Sequence, residues 1–152
     1  MIHGTRIDDA ALAQLAKYCY RANLMREFVH FIAEESEPNL MNLKKDDWWE
    51  FETYLHYWLS ALFVLVEAFN KLRIKDAVVR RLFKDNVGQL KLLRHETYHF
   101  SPSRPPARLL DQLNWAEQLH NAIHAHVRTI VVRRAQVARL MEFRTQSKKR
   151  AL

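Results

Sequence analysis

Two glycines, Gly4 and Gly88, serve the whole 152-residue chain, and its four prolines, Pro38, Pro102, Pro105 and Pro106, fall in two places. Tight turns draw on these residues, because glycine adopts left-handed backbone at least cost and proline presets φ. A β-rich or α/β chain of this length needs many such turns, so the scarcity predicts an all-α fold. Hydrophobic residues make up 49% of the chain, enough for a sizeable core in one domain. The expected architecture is an antiparallel bundle of four to five helices over residues 1–145, followed by a basic C-terminal tail over 146–152.

Apolar spacing places the helices. Asp8 or Asp9 stands where it would cap a first helix that ends near Glu34. Its apolar face is read as Leu12, Leu15, Ala16, Cys19, Tyr20, Leu24, Phe28, Phe31 and Ile32. The stretch Ser36 to Lys45, which holds Pro38, reads as a loop. Asp46 or Asp47 then caps a second helix, DWWEFETYLHYWLSALFVLVEAFNKLR, whose apolar residues from Trp49 to Phe69 cover most of its circumference. Such a helix is central in a bundle or lies at a subunit interface, and its aromatics are expected in the core. Asp76 opens a third helix, with a break or kink expected at Lys84 to Gly88. Ser101 to Pro106 stops it. The last helix begins near Arg108 and runs past Met141, with Leu109, Leu113, Ala116, Leu119, Ile123, Val127, Ile130 and Val131 as its buried stripe.

The net charge of +7 is unevenly placed. Arg128, Arg133, Arg134, Arg139, Arg144, Lys148, Lys149 and Arg150 face only Glu142 after Glu117. A basic helix of this kind suits a polyanion, and Arg133, Arg134, Lys148, Lys149 and Arg150 are the candidate RNA-phosphate contacts. Cys19 is the single cysteine, so no intramolecular disulfide forms, and it is expected as a small buried residue in a reducing compartment. The N-terminus has no signal-peptide core, and the most apolar run, Trp58 to Ala68, is too short to span a bilayer. These features point to a cytoplasmic protein without a membrane partner.

The stretch Arg94-His95-Glu96-Thr97-Tyr98-His99 carries the candidate chemistry. As H-E-x-x-H it would place His95 and His99 on one helical face as zinc ligands, with Glu96 activating a water. The expected helix end just after His99 gives that arrangement little support. As E-x-x-H it pairs with Glu117-x-x-His120 in the pattern of a di-metal bundle. Those two pairs flank one loop, which would place them at the end of the bundle. Their order along the chain also differs from the alternation of ferritin-like bundles. Both metal readings rank below a third, in which Arg94 and His99 are the functional pair and no cofactor is needed.

The string RHETYHF resembles the signature of the HEPN superfamily, an arginine, a polar residue, a short spacer and a closing histidine. Here these are Arg94, His95 and His99. The stretch Trp115 to Ala122 is similar to the final-helix segment of some bacterial members, and the resemblance spans roughly residues 47–127 in helix order. It implies a helical homodimer whose two Arg94–His99 pairs meet in one cleft. It also implies a metal-independent RNA endonuclease, of the kind found among toxins with a neutralising antitoxin and among phage-defence proteins. The alternative within the same family is a non-catalytic dimer that binds RNA, a nucleotide or a protein partner. The chemistry agrees with the first. RNA cleavage through its own 2′-OH needs a base near neutrality, which His99 supplies, and a fixed cation on the phosphorane oxygens, which Arg94 supplies. His95 would orient the pair or act as the acid. On a straight helix Arg94 and His99 stand about 140° apart, so their convergence needs an unwound last turn or a second subunit.

Overall fold

A computed structural model of the chain describes residues 7–35, 44–98 and 113–150, with the backbone alone for Glu96, Tyr98 and residues 143–150. Among these residues the regular elements are α-helices: α1 (Asp9–Glu35), α2 (Lys45–Lys71), α3 (Ala77–Tyr98) and α4 (Leu113–Arg150). The expected all-α bundle is therefore present. The expected stop at residues 101–106, the start near Arg108 and residues 36–43 of the expected loop lie outside the described residues, and Lys45, the last residue of that expected loop, is already in α2.

Local chemistry explains the helix ends. Asp8 caps α1, its Oδ1 accepting the Ala11 N–H at 2.7 Å. Asp76 caps α3, its Oδ1 accepting the N–H groups of Val78 and Val79 at 2.9 and 3.0 Å. For α2 the expectation is corrected. The cap position is Lys44, whose side chain makes no capping bond, while Asp46 and Asp47 fall two and three positions later, in the first turn. There their charges oppose the positive end of the helix dipole. The connection from α2 to α3 is a Schellman closure. Arg73 N–H reaches the Asn70 carbonyl at 3.1 Å and Ile74 N–H reaches the Phe69 carbonyl at 2.9 Å. That closure requires a left-handed residue, and Arg73 takes it with φ 54°. A chain with so little glycine here places an arginine in a glycine conformation.

The helices pack up and down around α2. Phe28 of α1 stacks on Tyr54 of α2, with centroids 4.6 Å apart. Thr97 near the end of α3 meets Ser60 of α2. Glu117 and Arg134 of α4 meet Arg26 and Asp9 of α1, so those two helices also run antiparallel. Helix α2 buries Phe51, Leu55, Trp58, Leu59, Leu62, Phe63, Val66 and Phe69, as its all-round apolar pattern predicts. Trp49 and Tyr57 are the exceptions, 57% and 45% exposed, and the Lys45 ammonium lies 4.9 Å from the Trp49 ring centroid.

Two helices differ from their sequence reading. The buried face of α1 is Leu12, Leu15, Cys19, Ala22, Val29 and Ile32, while Tyr20, Phe28 and Phe31 are exposed. The true stripe advances by three and four residues and places Arg26 between Ala22 and Val29. Leu12, Leu15, Cys19 and Ile32 of the expected face are buried, whereas Tyr20, Phe28 and Phe31 belong to a second apolar stripe that faces out. Helix α3 runs unbroken through Lys84 to Gly88. Asn86 Nδ2 donates to the Leu82 carbonyl at 2.8 Å, and Gly88 faces open space. A lone glycine costs about 1 kcal/mol relative to alanine, too little to break a helix that buries Val79, Leu82, Leu90 and Leu93.

Helix α4 outruns the bundle. Ala116, Leu119, Ile123 and Val127 are buried, but Val131, Val132, Val137, Leu140 and Met141 are exposed, so its core contact ends near Ile130. The helix continues through Arg150, and so includes the first five residues of the expected tail. No helix among the described residues is long and apolar enough to cross a membrane.

Arg73→Gly is expected to raise the unfolding free energy by about 1 kcal/mol, since relief of left-handed strain exceeds glycine's added unfolded-state entropy. Asp76→Ala is expected to lower it by about 1 kcal/mol through the lost cap. Burial pushes the Asp76 carboxyl up, but the bonds from Val79, His126 and Val78 outweigh it and hold the group below its usual range. Its contribution is thus complete above the ordinary carboxylate pKa and is lost as pH falls through the lowered value. Urea denaturation of the two variants checks both signs, and a lower midpoint for Arg73→Gly would contradict the strain argument.

Candidate functional site

The end of α3 presents the sequence motif. Its buried stripe, Leu90 and Leu93, ends at Thr97, whose hydroxyl donates to the Leu93 carbonyl at 2.8 Å. That donation leaves the Thr97 oxygen as acceptor for the buried Ser60 hydroxyl, 2.9 Å away. The last turn of α3 is thereby held against α2. Arg94 follows Leu93 by one residue and turns out of the core. Its Cζ lies 5.1 Å from the centroid of Phe63, so the aromatic face carries the guanidinium while the side chain stays exposed. Such stacking restricts the long side chain and leaves its forked donor edge for an anion. His95 is also exposed. His99 lies outside the described residues, and with it the geometry of the Arg94–His99 pair.

The second half of the metal pattern is engaged in other bonds. Arg26 Nε stands 2.9 and 2.8 Å from the two Glu117 oxygens, and His30 Nε2 stands 2.6 Å from Oε1. Trp58 Nε1–H donates to His120 Nδ1 at 3.1 Å. This bond makes Nδ1 the acceptor and leaves the neutral ring's proton on Nε2. The His124 ring stacks 5.5 Å from that of His120. Burial, followed by the charges of Arg26 and His124, pushes His120 down to about 4, against the opposing pull of Glu117. Glu117 and His120 therefore form a structural seam between α1, α2 and α4. Among the described residues no three histidine, cysteine, aspartate or glutamate side chains are grouped to hold a metal ion.

The position of these residues is also a correction. Thr97 lies beside Ser60 and His120 beside Trp58, near the middle of α2 rather than at the bundle's end. The hairpin of α1 and α2 extends beyond them. Arg26, His30 and Trp58 are members of the seam that sequence reasoning did not assemble. An inward arginine in the heptad-like stripe of α1 was the available signal, but its partner is 91 positions away in the chain.

Of the candidate RNA contacts, Arg133 is exposed on α4. Arg134 is paired with Asp9 at the start of α1. The side chains of Lys148, Lys149 and Arg150 lie outside the described residues. Cys19 is buried as expected, and burial pushes its thiol up to about 12, which removes it as a nucleophile near neutrality. No family model, curated protein or solved structure matches the chain.

Between the ordinary histidine value of 6.5 and about 4, the unfolded chain takes up a proton at residue 120 that the folded chain does not. Stability must therefore fall as pH drops through that window. The expected loss from about pH 7.5 to about pH 5 is of order 2 kcal/mol. His120→Asn retains an acceptor for Trp58 but cannot titrate, so its stability should change less over the same range. Equal acid-side slopes in wild type and variant, measured by chemical denaturation, would remove His120 as the cause.

Proposed function

We propose that the protein is a metal-independent RNA endonuclease of HEPN type that works as a homodimer, with Arg94 and His99 as its active pair and His95 in support. The observation that carries the reading is the Arg94 guanidinium, exposed yet held over Phe63 on a turn clamped to α2, in an all-helical basic chain. Arg94 would hold the phosphate oxygens. His99 would take the proton of the ribose 2′-OH as that oxygen bonds to phosphorus. The bond to the 5′-oxygen breaks and the leaving oxygen is protonated, with His95 as the candidate acid. The products are a 2′,3′-cyclic phosphate and a 5′-hydroxyl. The basic end of α4 would draw RNA to the site. The engagement of Glu117 by Arg26 and His30, and of His120 Nδ1 by Trp58, favours this reading over a di-metal centre.

The test is an RNA cleavage assay in chelator. Wild type should cut RNA, leave cyclic-phosphate ends and spare a 2′-deoxy substrate. His99→Ala should lower the rate by about 10²–10⁴-fold. Arg94→Ala should cost at least as much and also weaken binding. Neutralising Lys148, Lys149 and Arg150 together should lower affinity and flatten its salt dependence without abolishing chemistry. If wild type cuts no RNA, or His99→Ala cuts at the wild-type rate, the endonuclease reading is wrong. Retained RNA or nucleotide binding in that case would identify a non-catalytic dimer.

A further inference from the structure

Helix α4 passes its ion pair with the first residue of α1 at Arg134 and continues to Arg150, 16 helical steps or about 24 Å beyond the bundle. This arm is not uniformly polar. Ile130, Arg133, Val137 and Leu140 recur at steps of three, four and three, and so line one face, with Met141 beside it. Val137, Leu140 and Met141 are 55%, 64% and 60% exposed, and Arg133 is exposed among them. A stripe with that spacing is the pattern by which one helix packs on others.

The opposite end of the molecule carries a complementary surface. Between α1 and α2 lies a groove of about 250 Å³. Phe28, Phe31 and Tyr54 contribute its apolar wall, and Glu35, Asp47 and Glu50 its carboxylates, with no cation among the described lining residues. The Phe28–Tyr54 stack makes that wall firm, and Phe31 remains 56% exposed. The arm offers apolar groups with interspersed arginine, and the groove offers apolar groups with interspersed carboxylate.

The arm cannot fill the groove of its own chain. Helix α4 runs antiparallel to α1 and leaves the bundle at Asp9, whereas the groove lies near Glu35, about 40 Å away along α1. Nor does arm-to-arm pairing suit it. From Arg128 to Arg150 the sequence holds eight basic residues and one acid, Glu142, so two such helices side by side repel.

We propose that each arm docks into the α1–α2 groove of a second copy of this chain. Two arms and two grooves form a closed, reciprocal two-fold dimer. Val137 and Leu140 lie against Phe31 and its neighbours, and Arg133 faces Asp47 and Glu50. This assembly supplies the dimer that the functional reading needs, and uses none of its chemistry.

The test measures the mass of the full chain by light scattering at tens of micromolar. Wild type should be twice the 18.2 kDa chain. Asp47→Lys with Glu50→Lys, which reverses the groove, and Arg133→Glu with Val137→Glu, which reverses the arm, should each be monomeric, with Kd raised at least tenfold. Mixed in equal amounts, the two variants should recover the dimer, because one contact is then native and the other charge-swapped. That recovery would exclude misfolding as the cause of dissociation. A dimeric wild type that ignores both variants, or variants that do not recover on mixing, would overturn the arm exchange and leave the endonuclease reading standing. A monomeric wild type would overturn the arm exchange, and RNA cleavage by that monomer would then decide the chemistry separately. Lost RNA binding with an unchanged dimer in the arm variant would assign the arm to nucleic acid instead.

Discussion

Trp58 sits at the middle of α2, fully buried, with an indole N–H that water cannot reach. An unpaired buried donor costs as much as a good hydrogen bond contributes, so α2 can take this central place only if another helix brings an acceptor. His120 of α4 does so, as the neutral tautomer that its burial enforces. The bond aligns α4 beside α2, and the apolar stripe of α4 then closes the core through Ala116, Leu119, Ile123 and Val127. Around the same point Arg26, His30 and Glu117 join α1 to α4. The Trp58–His120 bond is buried and the Arg26–His30–Glu117 cluster beside it is partly exposed, and together they join α1, α2 and α4.

The seam bears on function by elimination and by placement. A glutamate held by an arginine and a histidine, and a histidine whose Nδ1 accepts from tryptophan, are not free to serve as a metal pair. With Glu117 and His120 occupied in this way, the proposed chemistry rests on the end of α3, where Arg94 is exposed. There the bonding is different in kind: Thr97 and Ser60 fasten the backbone, and Phe63 supports the guanidinium of an exposed Arg94. Rigid support with an exposed charged edge is the arrangement that phosphate recognition uses.

The molecule is also polarised end to end. One end carries the basic arm of α4 and the other the carboxylates and exposed aromatics of the α1–α2 hairpin. A single copy leaves both surfaces in water. The two surfaces carry opposite charge, the complementarity on which the proposed arm exchange rests.

Much of this was legible in the chain. Scarce glycine and the three- and four-residue apolar spacing were enough for an all-α bundle with α2 at its centre, because helix formation and burial both follow from local periodicity. Asp8 and Asp76 were readable as caps, since a cap bonds to backbone two or three residues away. The inward side of α1 was readable only in part: Leu12, Leu15, Cys19 and Ile32 are buried as their spacing predicts, but Tyr20, Phe28 and Phe31 are not. Two apolar stripes compete there, and packing against α2 and α4 buries the one containing Arg26. Gly88 did not break α3, because burial on either side outweighs a local propensity of about 1 kcal/mol. The arginine–histidine motif is likewise a property of the sequence. Which polar residues became structural, by contrast, was decided by tertiary structure alone: Glu117 and His120 lost their freedom to partners distant in the chain, and distance along the chain carries no information about proximity in space.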